Sequence, residues 1–463
     1  MARTPSDRAK NIKRLYGNKI AILGFEREGR ATLTFLQNDP EFHGAEIWVL
    51  DKNESLEVPP GVHTRLGLEY LSGLNDFDVI FRTPGIRYHS PEIQRAQKLG
   101  VTISSATKLF FDRCQGKIIG VTGTKGKGTT STLIYDILKA EGKDVYLAGN
   151  IGKPTLEILP HMTKKSWAVL EMSSFQLIDM EKSPHVAVAI MVTEEHLDWH
   201  IDVKDYVAAK SNIVRFQSKN DFAVLAADYP RSMSYAQLTK ADVSTYSRLH
   251  SVDKGTWVEN NAFYYSDGRE IKKICNTNVL HIPGKHNWEN AAAAITVGKL
   301  LDISNGTIKK AIENFHGLEH RLEFVADVNG VRYYNDSYST MPDATEVAIA
   351  AFDAPKVLIV GGSHKDSDFT KLGKAIAKSK SIKGIIGIGV EWPIIKSHIK
   401  LSKNSPIQII EGCENMKEIV AAAHDMTSHG DVVILSPGCA SFDMFKNYSE
   451  RGTQFKQAVK ELK

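Results

Sequence analysis

The stretch Lys117-Ile118-Ile119-Gly120-Val121-Thr122-Gly123-Thr124-Lys125-Gly126-Lys127-Gly128-Thr129-Thr130 decides the fold. An apolar run ends in a glycine-rich loop and passes directly into a segment whose Leu133, Ile134, Ile137 and Leu138 fall on one helical face, with Gly142 as its stop. In such a strand–loop–helix, glycines let successive backbone N–H groups converge on phosphate oxygens, and the helix N-terminus adds partial positive charge. Lys127 supplies a point charge for the β- and γ-phosphates, and Thr129 or Thr130 a hydroxyl for Mg²⁺. The spacing is not that of an ordinary phosphate loop, because Val121 stands five residues before Gly126 and Gly128 takes the usual Ser/Thr place. A glycine-rich turn with an idle lysine is the bland reading of the same residues.

Similar apolar runs ending in glycine recur at residues 19–24 and 356–362. Further short runs follow at 45–50 and 78–81, and later at 384–388, 407–410 and 432–435, interleaved with helical patterns such as 369–377 and 416–424. That alternation signals βαβ units around parallel sheets, hence the α/β class. Three parts are expected, which also matches the prior for 463 residues. They are a Rossmann-like N-terminal domain over 1–114, a central phosphate-loop ATPase domain with a parallel-rich sheet over 115–318, and a doubly wound Rossmann-like C-terminal domain over 319–463.

Composition removes several classes. Lys+Arg is 58 against 54 for Asp+Glu, a net charge of +4, which argues against nucleic acid or a polybasic membrane surface as partner. Hydrophobic residues at 42% and charged residues at 24% exclude wholesale disorder. Cys114, Cys275, Cys413 and Cys439 form no CxxC, so neither a zinc cluster nor a disulfide framework is expected, and a reducing compartment fits. The polar start Met1-Ala2-Arg3-Thr4-Pro5 has no apolar core behind it, and the longest apolar run, residues 186–192, is too short to cross a bilayer. The expectation is a cytoplasmic protein.

Other residues carry chemistry by position. A phosphate loop needs a carboxylate for its metal, and Glu171 closes the run Trp167-Ala168-Val169-Leu170. In Thr193-Glu194-Glu195-His196-Leu197-Asp198-Trp199-His200 the two histidines stand four apart. Leu197 occupies the place where a zinc protease carries Glu, so one histidine near a second divalent ion is the better reading. Lys210, fourteen residues after His196, reads as an ordinary helix lysine. Asn287 and Asn290 open an alanine-rich helix on one face, where two amides can frame an adenine, or Asn287 can merely cap the helix. The loop Gly24-Phe25-Glu26-Arg27-Glu28-Gly29 carries Glu26 where a dinucleotide fingerprint needs its middle glycine. It points to a nucleotide or sugar-nucleotide module, or to a structural turn, and away from an NAD site. Polar loops at 319–321, 335–340, 361–369 and 436–443 follow strand candidates, where ligands of such sheets gather.

Together these strings resemble the Mur ligase family, the ATP-dependent amide-forming ligases of peptidoglycan precursor synthesis, and the resemblance runs essentially end to end. It is carried by Thr83-Pro84-Gly85-Ile86, the TGTxGK loop, Gly149-Asn150-Ile151-Gly152, Glu171-Met172-Ser173-Ser174-Phe175-Gln176-Leu177, His286-Asn287, His320-Arg321, Asn335-Asp336-Ser337 and Cys439-Ala440-Ser441-Phe442-Asp443-Met444-Phe445. Their order is that of the glutamate-adding branch. The resemblance implies ATP binding by Gly123, Thr124, Lys125, Gly126, Lys127, Gly128, Thr129, Thr130, Asn287, Asn290, Arg321 and Asp336. It implies two Mg²⁺ ions at Thr129, Glu171, His196 and Lys210, the lysine as a carbamate, and catalytic roles for Lys127, His196 and Lys210. UDP-N-acetylmuramoyl-L-alanine would meet Gly24, Phe25, Asp51, Lys52, Thr83, Gly85, Asn150, Ser173 and His196. The incoming glutamate would meet Tyr338, Thr340, Lys365, Ser441 and Tyr448. The expected form is a monomer.

Two departures bear on this. Gly128 replaces a hydroxyl residue after the loop lysine, as in folylpolyglutamate synthases, and Tyr338 stands where the branch carries a lysine near the incoming amino acid. D-glutamate is favoured, with an L-glutamate-adding relative as the alternative. A folylpolyglutamate-synthase-like ligase is opposed by the N-terminal module, which precedes the loop by more than 100 residues. A non-catalytic nucleotide-binding regulator is opposed by the set Lys127, Glu171, His196 and Lys210.

Overall fold

A computed structural model describes residues 17–195, 199–364, 367–402 and 405–462. Among these the strands form three sheets. The chain divides into two compact units: the described residues up to Thr277 with Glu289–Ile312, and Asn278–Trp288 with the described residues from Glu313 onward.

The first unit carries two sheets. The smaller is all-parallel, in the spatial order His63–Leu66, Glu46–Asp51, Lys19–Leu23, Val79–Arg82, Thr102–Ser104. Along its central strand the side chains alternate. Ile20 and Ile22 join Leu33, Phe81 and Phe110 on one face, and Ala21 and Leu23 join Leu50, Ile80 and Ile93 on the other. Both faces are covered, as a parallel sheet with crossover helices requires.

The larger sheet runs Ile271–Asn276, Ala262–Asp267, Lys254–Glu259, Asp242–Ser247, Phe222–Ala226, Val186–Ala189, Lys117–Thr122, Trp167–Glu171, Val145–Gly149. It is parallel from Val145–Gly149 to Lys254–Glu259 and closes in an antiparallel meander. Val121 pairs with Glu171, so the loop leaving Lys117–Thr122 and the carboxylate of the neighbouring strand emerge at one edge, where ligands bind in such sheets. The helix Lys127–Ala140 buries Leu133, Ile134, Ile137 and Leu138, the face its spacing predicts. The apolar run 186–192 is strand only over Val186–Ala189. Its remainder bonds to the loop instead, with Ile190 N donating to Thr122 O at 2.9 Å and Thr124 N to Met191 O at 2.6 Å.

The second unit holds the sheet Glu323–Val328, Val331–Asn335, Val432–Leu435, Lys356–Gly361, Ile382–Ile388, Gln408–Glu411, parallel apart from its opening hairpin. Val357, Ile359 and Val433 face one core, and Leu358, Val360 and Ile434 the other. No helix among the described residues is long and apolar enough to cross a membrane.

Candidate active site

The loop after Lys117–Thr122 turns at Gly126, whose φ of +86° suits glycine, and where a Cβ would lie 2.4 Å from Asn290 Oδ1. Lys127 opens the helix, and its Nζ donates to the carbonyls of Gly123 and Thr124 at 3.1 and 2.8 Å. Gly123, Thr124 and Gly128 are buried around it, and Lys125 is exposed. Thr130 Oγ1 donates to Asn290 Oδ1 at 3.2 Å inside the unit, so of the two candidate threonines it is Thr129 whose hydroxyl keeps no partner among the described residues. Thr124 Oγ1 meets Tyr206 OH at 2.9 Å and accepts from Thr193 N at 2.9 Å, fixing the loop from the far side.

Lys210 is not an ordinary helix lysine. It lies on the helix Val203–Arg215 with only 2% of its surface exposed, and Nζ donates to Gly123 O at 2.8 Å and to Thr122 Oγ1 at 3.4 Å. Tyr206, one turn earlier, places its ring 4.7 Å from that nitrogen. Burial, and then the charge of Lys127, push the amine well below the usual lysine value, against the smaller pull of Glu195 and Glu171.

Glu171 is buried at the strand end, and its Oε1 accepts from Asn150 Nδ2 at 2.8 Å. Its Oε2 takes no hydrogen bond from a described residue. Among the described residues no three His, Cys, Asp or Glu side chains converge as a metal cage. A hard oxygen donor at Glu171 with the hydroxyl of Thr129 is the donor set that suits Mg²⁺, which binds through one or two carboxylates and substrate phosphates. His196 lies outside the described residues. His200 has both ring nitrogens engaged, Nδ1 with Asp205 Oδ2 at 2.7 Å and Nε2 with Ser174 Oγ at 2.9 Å, and His89 Nε2 meets Asp205 Oδ1 at 3.0 Å. Ser173 caps the helix Ser174–Leu177 in a reciprocal pair with Gln176.

A cleft of about 420 Å³ opens beside the first glycine loop, bounded among others by Gly24, Phe25, Thr83, Gly85, Asn150 and Gln176. Gly24 has φ +89°, and a Cβ there would lie 2.1 Å from Thr83 Oγ1. Asp51 also borders the cleft and holds the loop in place, accepting from Phe25 N at 2.6 Å and Asn53 N at 2.8 Å. Lys52 is exposed next to it.

In the second unit the Arg321 guanidinium stacks 4.5 Å from the Tyr338 ring, which meets Tyr448 edge-on at 5.2 Å. Asp336 is buried, accepting from Leu322 N at 3.1 Å, Ser436 Oγ at 2.7 Å and Ser339 Oγ, and burial lifts its carboxyl to about 6. Asn287 Nδ2 donates to Pro283 O at 2.6 Å. Arg451, which the sequence did not single out, is wholly buried. It donates to Ser337 Oγ and to the carbonyls of Ser337, Cys439 and Ala440, tying the turn before Thr340 to the loop carrying Ser441. Lys365 lies outside the described residues.

Sequence families match in two stretches, a Mur ligase middle domain over residues 121–298 and a Mur ligase, glutamate ligase domain over 320–439. The chain is 37% identical to the UDP-N-acetylmuramoylalanine–D-glutamate ligase of Acetivibrio thermocellus, over 97% of this chain and 98% of that protein. It is 36% identical to the protein of the same name from Clostridium tetani, over 97% and 98%. Two solved structures share the fold. The UDP-N-acetylmuramate-alanine ligase of Thermotoga maritima matches with a TM-score of 0.59 at 20% identity, covering 96% of this chain and all of the other. The MurF ligase of Thermotoga maritima in complex with ADP matches at 0.56 and 18% identity, covering 96% of each.

Proposed function

The chain belongs to the Mur ligase family, and on that premise we propose that it joins D-glutamate to UDP-N-acetylmuramoyl-L-alanine at the expense of ATP, a step of peptidoglycan precursor synthesis. The observation that carries this reading is the convergence at the end of Lys117–Thr122, where the loop lysine Lys127 and the buried amine of Lys210 meet at one carbonyl beside the carboxylate of Glu171. Full-length identity to ligases of that name supports the substrates.

The γ-phosphoryl group passes from ATP to the terminal carboxylate of the acceptor, giving an acyl phosphate and ADP. The glutamate amine then attacks the acyl carbon, phosphate leaves, and the nitrogen loses a proton. Backbone N–H groups at the start of the helix Lys127–Ala140 cradle the phosphates. Lys127 exchanges its two carbonyl acceptors for phosphate oxygens and offsets their charge. Glu171 and Thr129 would hold one Mg²⁺, and His196 with a carbamylated Lys210 a second, which when bound spread the charge on the transferring group. Asn287, Asn290, Arg321 and Asp336 serve ATP, with Asp336 acting through the loop it holds. Gly24, Phe25, Asp51, Lys52, Thr83, Gly85, Asn150 and Ser173 serve the acceptor. Tyr338, Thr340, Lys365, Ser441 and Tyr448 serve glutamate.

The protein acts in the cytoplasm as a monomer built of domains 1–114, 115–318 and 319–463. The test is ATP-dependent phosphate release that needs both UDP-N-acetylmuramoyl-L-alanine and glutamate. Release driven by a folate acceptor, or by ATP with no acceptor, would replace this reading.

A further inference from the structure

The acceptor cleft takes its lining from both sheets of the first unit. Thr83-Pro84-Gly85-Ile86 is the turn that leaves the strand Val79–Arg82 of the smaller sheet. Asn150 follows the strand Val145–Gly149 of the larger sheet, and Gln176 lies on the helix that Ser173 caps after Trp167–Glu171. An acceptor that meets both stretches needs them at a fixed separation.

One side chain spans that separation. Arg82 is 1% exposed and is not among the residues bordering the cleft. Its Nη1 donates to Ile86 O at 2.9 Å and lies 3.4 Å from Thr83 O, the two ends of the turn. Its Nη2 donates to Phe175 O at 2.9 Å and to Asp179 Oδ1 at 3.1 Å. Phe175 lies on the Ser173-capped helix, and Asp179 follows it. The rings of Tyr88 and Trp199 lie 5.6 and 5.9 Å from the guanidinium carbon. A single planar fork therefore holds the acceptor turn of one sheet to the acceptor helix of the other.

The arrangement is poorly made for stability. Arg82 Nε is buried and finds no acceptor among the described residues. Asp179 Oδ2 takes no hydrogen bond and has only an ion pair with Lys108 Nζ at 3.7 Å. Glu28, on the helix Arg27–Asn38, is near enough for its carboxyl to feel the Arg82 charge. It nevertheless turns Oε2 to Gln176 Nε2 at 3.5 Å and leaves Oε1 unbonded. Buried polar atoms without partners cost stability, and a buried ion pair is often no better than apolar residues of the same size. What a guanidinium fork does well is fix direction and distance. A second tie joins the same two parts, His89 Nε2 to Asp205 Oδ1 at 3.0 Å, and does not involve Arg82.

We propose that Arg82 and Asp179 are a positioning pair: they set the separation of the turn 83–86 from the Ser173-capped helix, and so the affinity for the acceptor, without touching it. The identity of the acceptor rests on the functional reading above.

The test is steady-state phosphate release by the full chain, with thermal melts of the same preparations. Replacing both partners by apolar residues, Arg82→Met with Asp179→Leu, leaves no unpaired charge of the pair in the interior. That double variant should melt close to the wild type. Its KM for UDP-N-acetylmuramoyl-L-alanine should rise about tenfold or more, while its KM for ATP and its kcat at saturating acceptor stay within about threefold. Arg82→Lys, which keeps the charge and loses the fork, should raise the acceptor KM by about threefold. An unchanged acceptor KM in the double variant overturns the proposal, and so does an equal rise in the KM for ATP, which is general loosening. Should the double variant not melt cooperatively, Arg82→Lys decides alone, and a wild-type acceptor KM there overturns the proposal. These outcomes leave the ligase reading intact. Wild-type phosphate release that does not depend on the acceptor overturns that reading and this proposal with it.

Discussion

Lys127 and Lys210 donate to the same acceptor, the carbonyl oxygen of Gly123, at 3.1 and 2.8 Å. Two ammonium groups on one carbonyl repel each other. Lys210 is the buried partner, and burial, then the charge of Lys127, hold its amine well below the usual lysine value. A neutral amine is the form that adds carbon dioxide, and the resulting carbamate is an anion beside Lys127, suited to a divalent cation.

The first expectation is therefore that Lys210 carries a carbamate. Carbon-13 bicarbonate should give one carbamate resonance in the wild type and none in Lys210→Ala. That variant should lose activity at least a hundredfold, about 2.7 kcal/mol, and regain part of it with acetate. An active enzyme without the resonance would contradict this.

Lys127→Ala should reduce kcat for phosphate release by more than tenfold, above about 1.4 kcal/mol, with an unchanged melting temperature. Its ammonium donates to the loop carbonyls of Gly123 and Thr124, and phosphates are the stronger acceptors. Retention of more than a tenth of the activity would remove Lys127 from the chemistry.

Tyr338, placed with the residues that serve glutamate, also steadies Arg321 of the ATP set through their stack. An exposed cation–π contact contributes about 0.5–1 kcal/mol. Tyr338→Ala should free Arg321 and raise the KM for ATP about two- to fivefold, and Tyr338→Phe, which keeps the ring, should leave it nearly unchanged. Lys365→Ala should instead raise the KM for glutamate, by the equivalent of roughly 2–4 kcal/mol if the site is desolvated. Measured side by side, the KM for ATP should respond to Tyr338→Ala and not to Lys365→Ala.

Glu28 also sets a stability slope. Burial lifts its carboxyl from the ordinary glutamate value of 4.5 to about 7, so the folded state holds the extra proton. No stability is lost below pH 4.5, and stability falls as pH rises from about 4.5 to 7, by on the order of 3 kcal/mol. Glu28→Gln should flatten that fall in urea titrations and be more stable than wild type at pH 8. Parallel curves for the two proteins would place the carboxyl in water.

What the sequence made legible follows from periodicity and glycine. The strand–loop–helix at 117–140, and the alternation of apolar runs that builds the three sheets, are local patterns that burial reads directly. The apolar run 186–192 outlasts its strand because its last residues bond to the phosphate loop, a partner distant in sequence that local pattern cannot name. Lys210 looked ordinary by itself. Its spacing of four from Tyr206 was a usable sign that both face inward, yet only the fold brings Gly123 to it. Asn150 meeting Glu171, and His200 joining Ser174 to Asp205, are likewise pairings across strands or turns. A lone Arg451 in an amphipathic helix reads as solvated, and nothing local foretells that it ties two loops together.

Tyr338 replaces a lysine expected near the incoming glutamate, so the choice of amino acid is the property to measure. The deciding measurement is kcat/KM for D- and L-glutamate in ATP-dependent phosphate release with UDP-N-acetylmuramoyl-L-alanine as acceptor. Turnover should require all three substrates and show a clear preference for D-glutamate. Preference for L-glutamate would contradict the stereochemical assignment, and release with neither enantiomer would contradict the ligase reading itself.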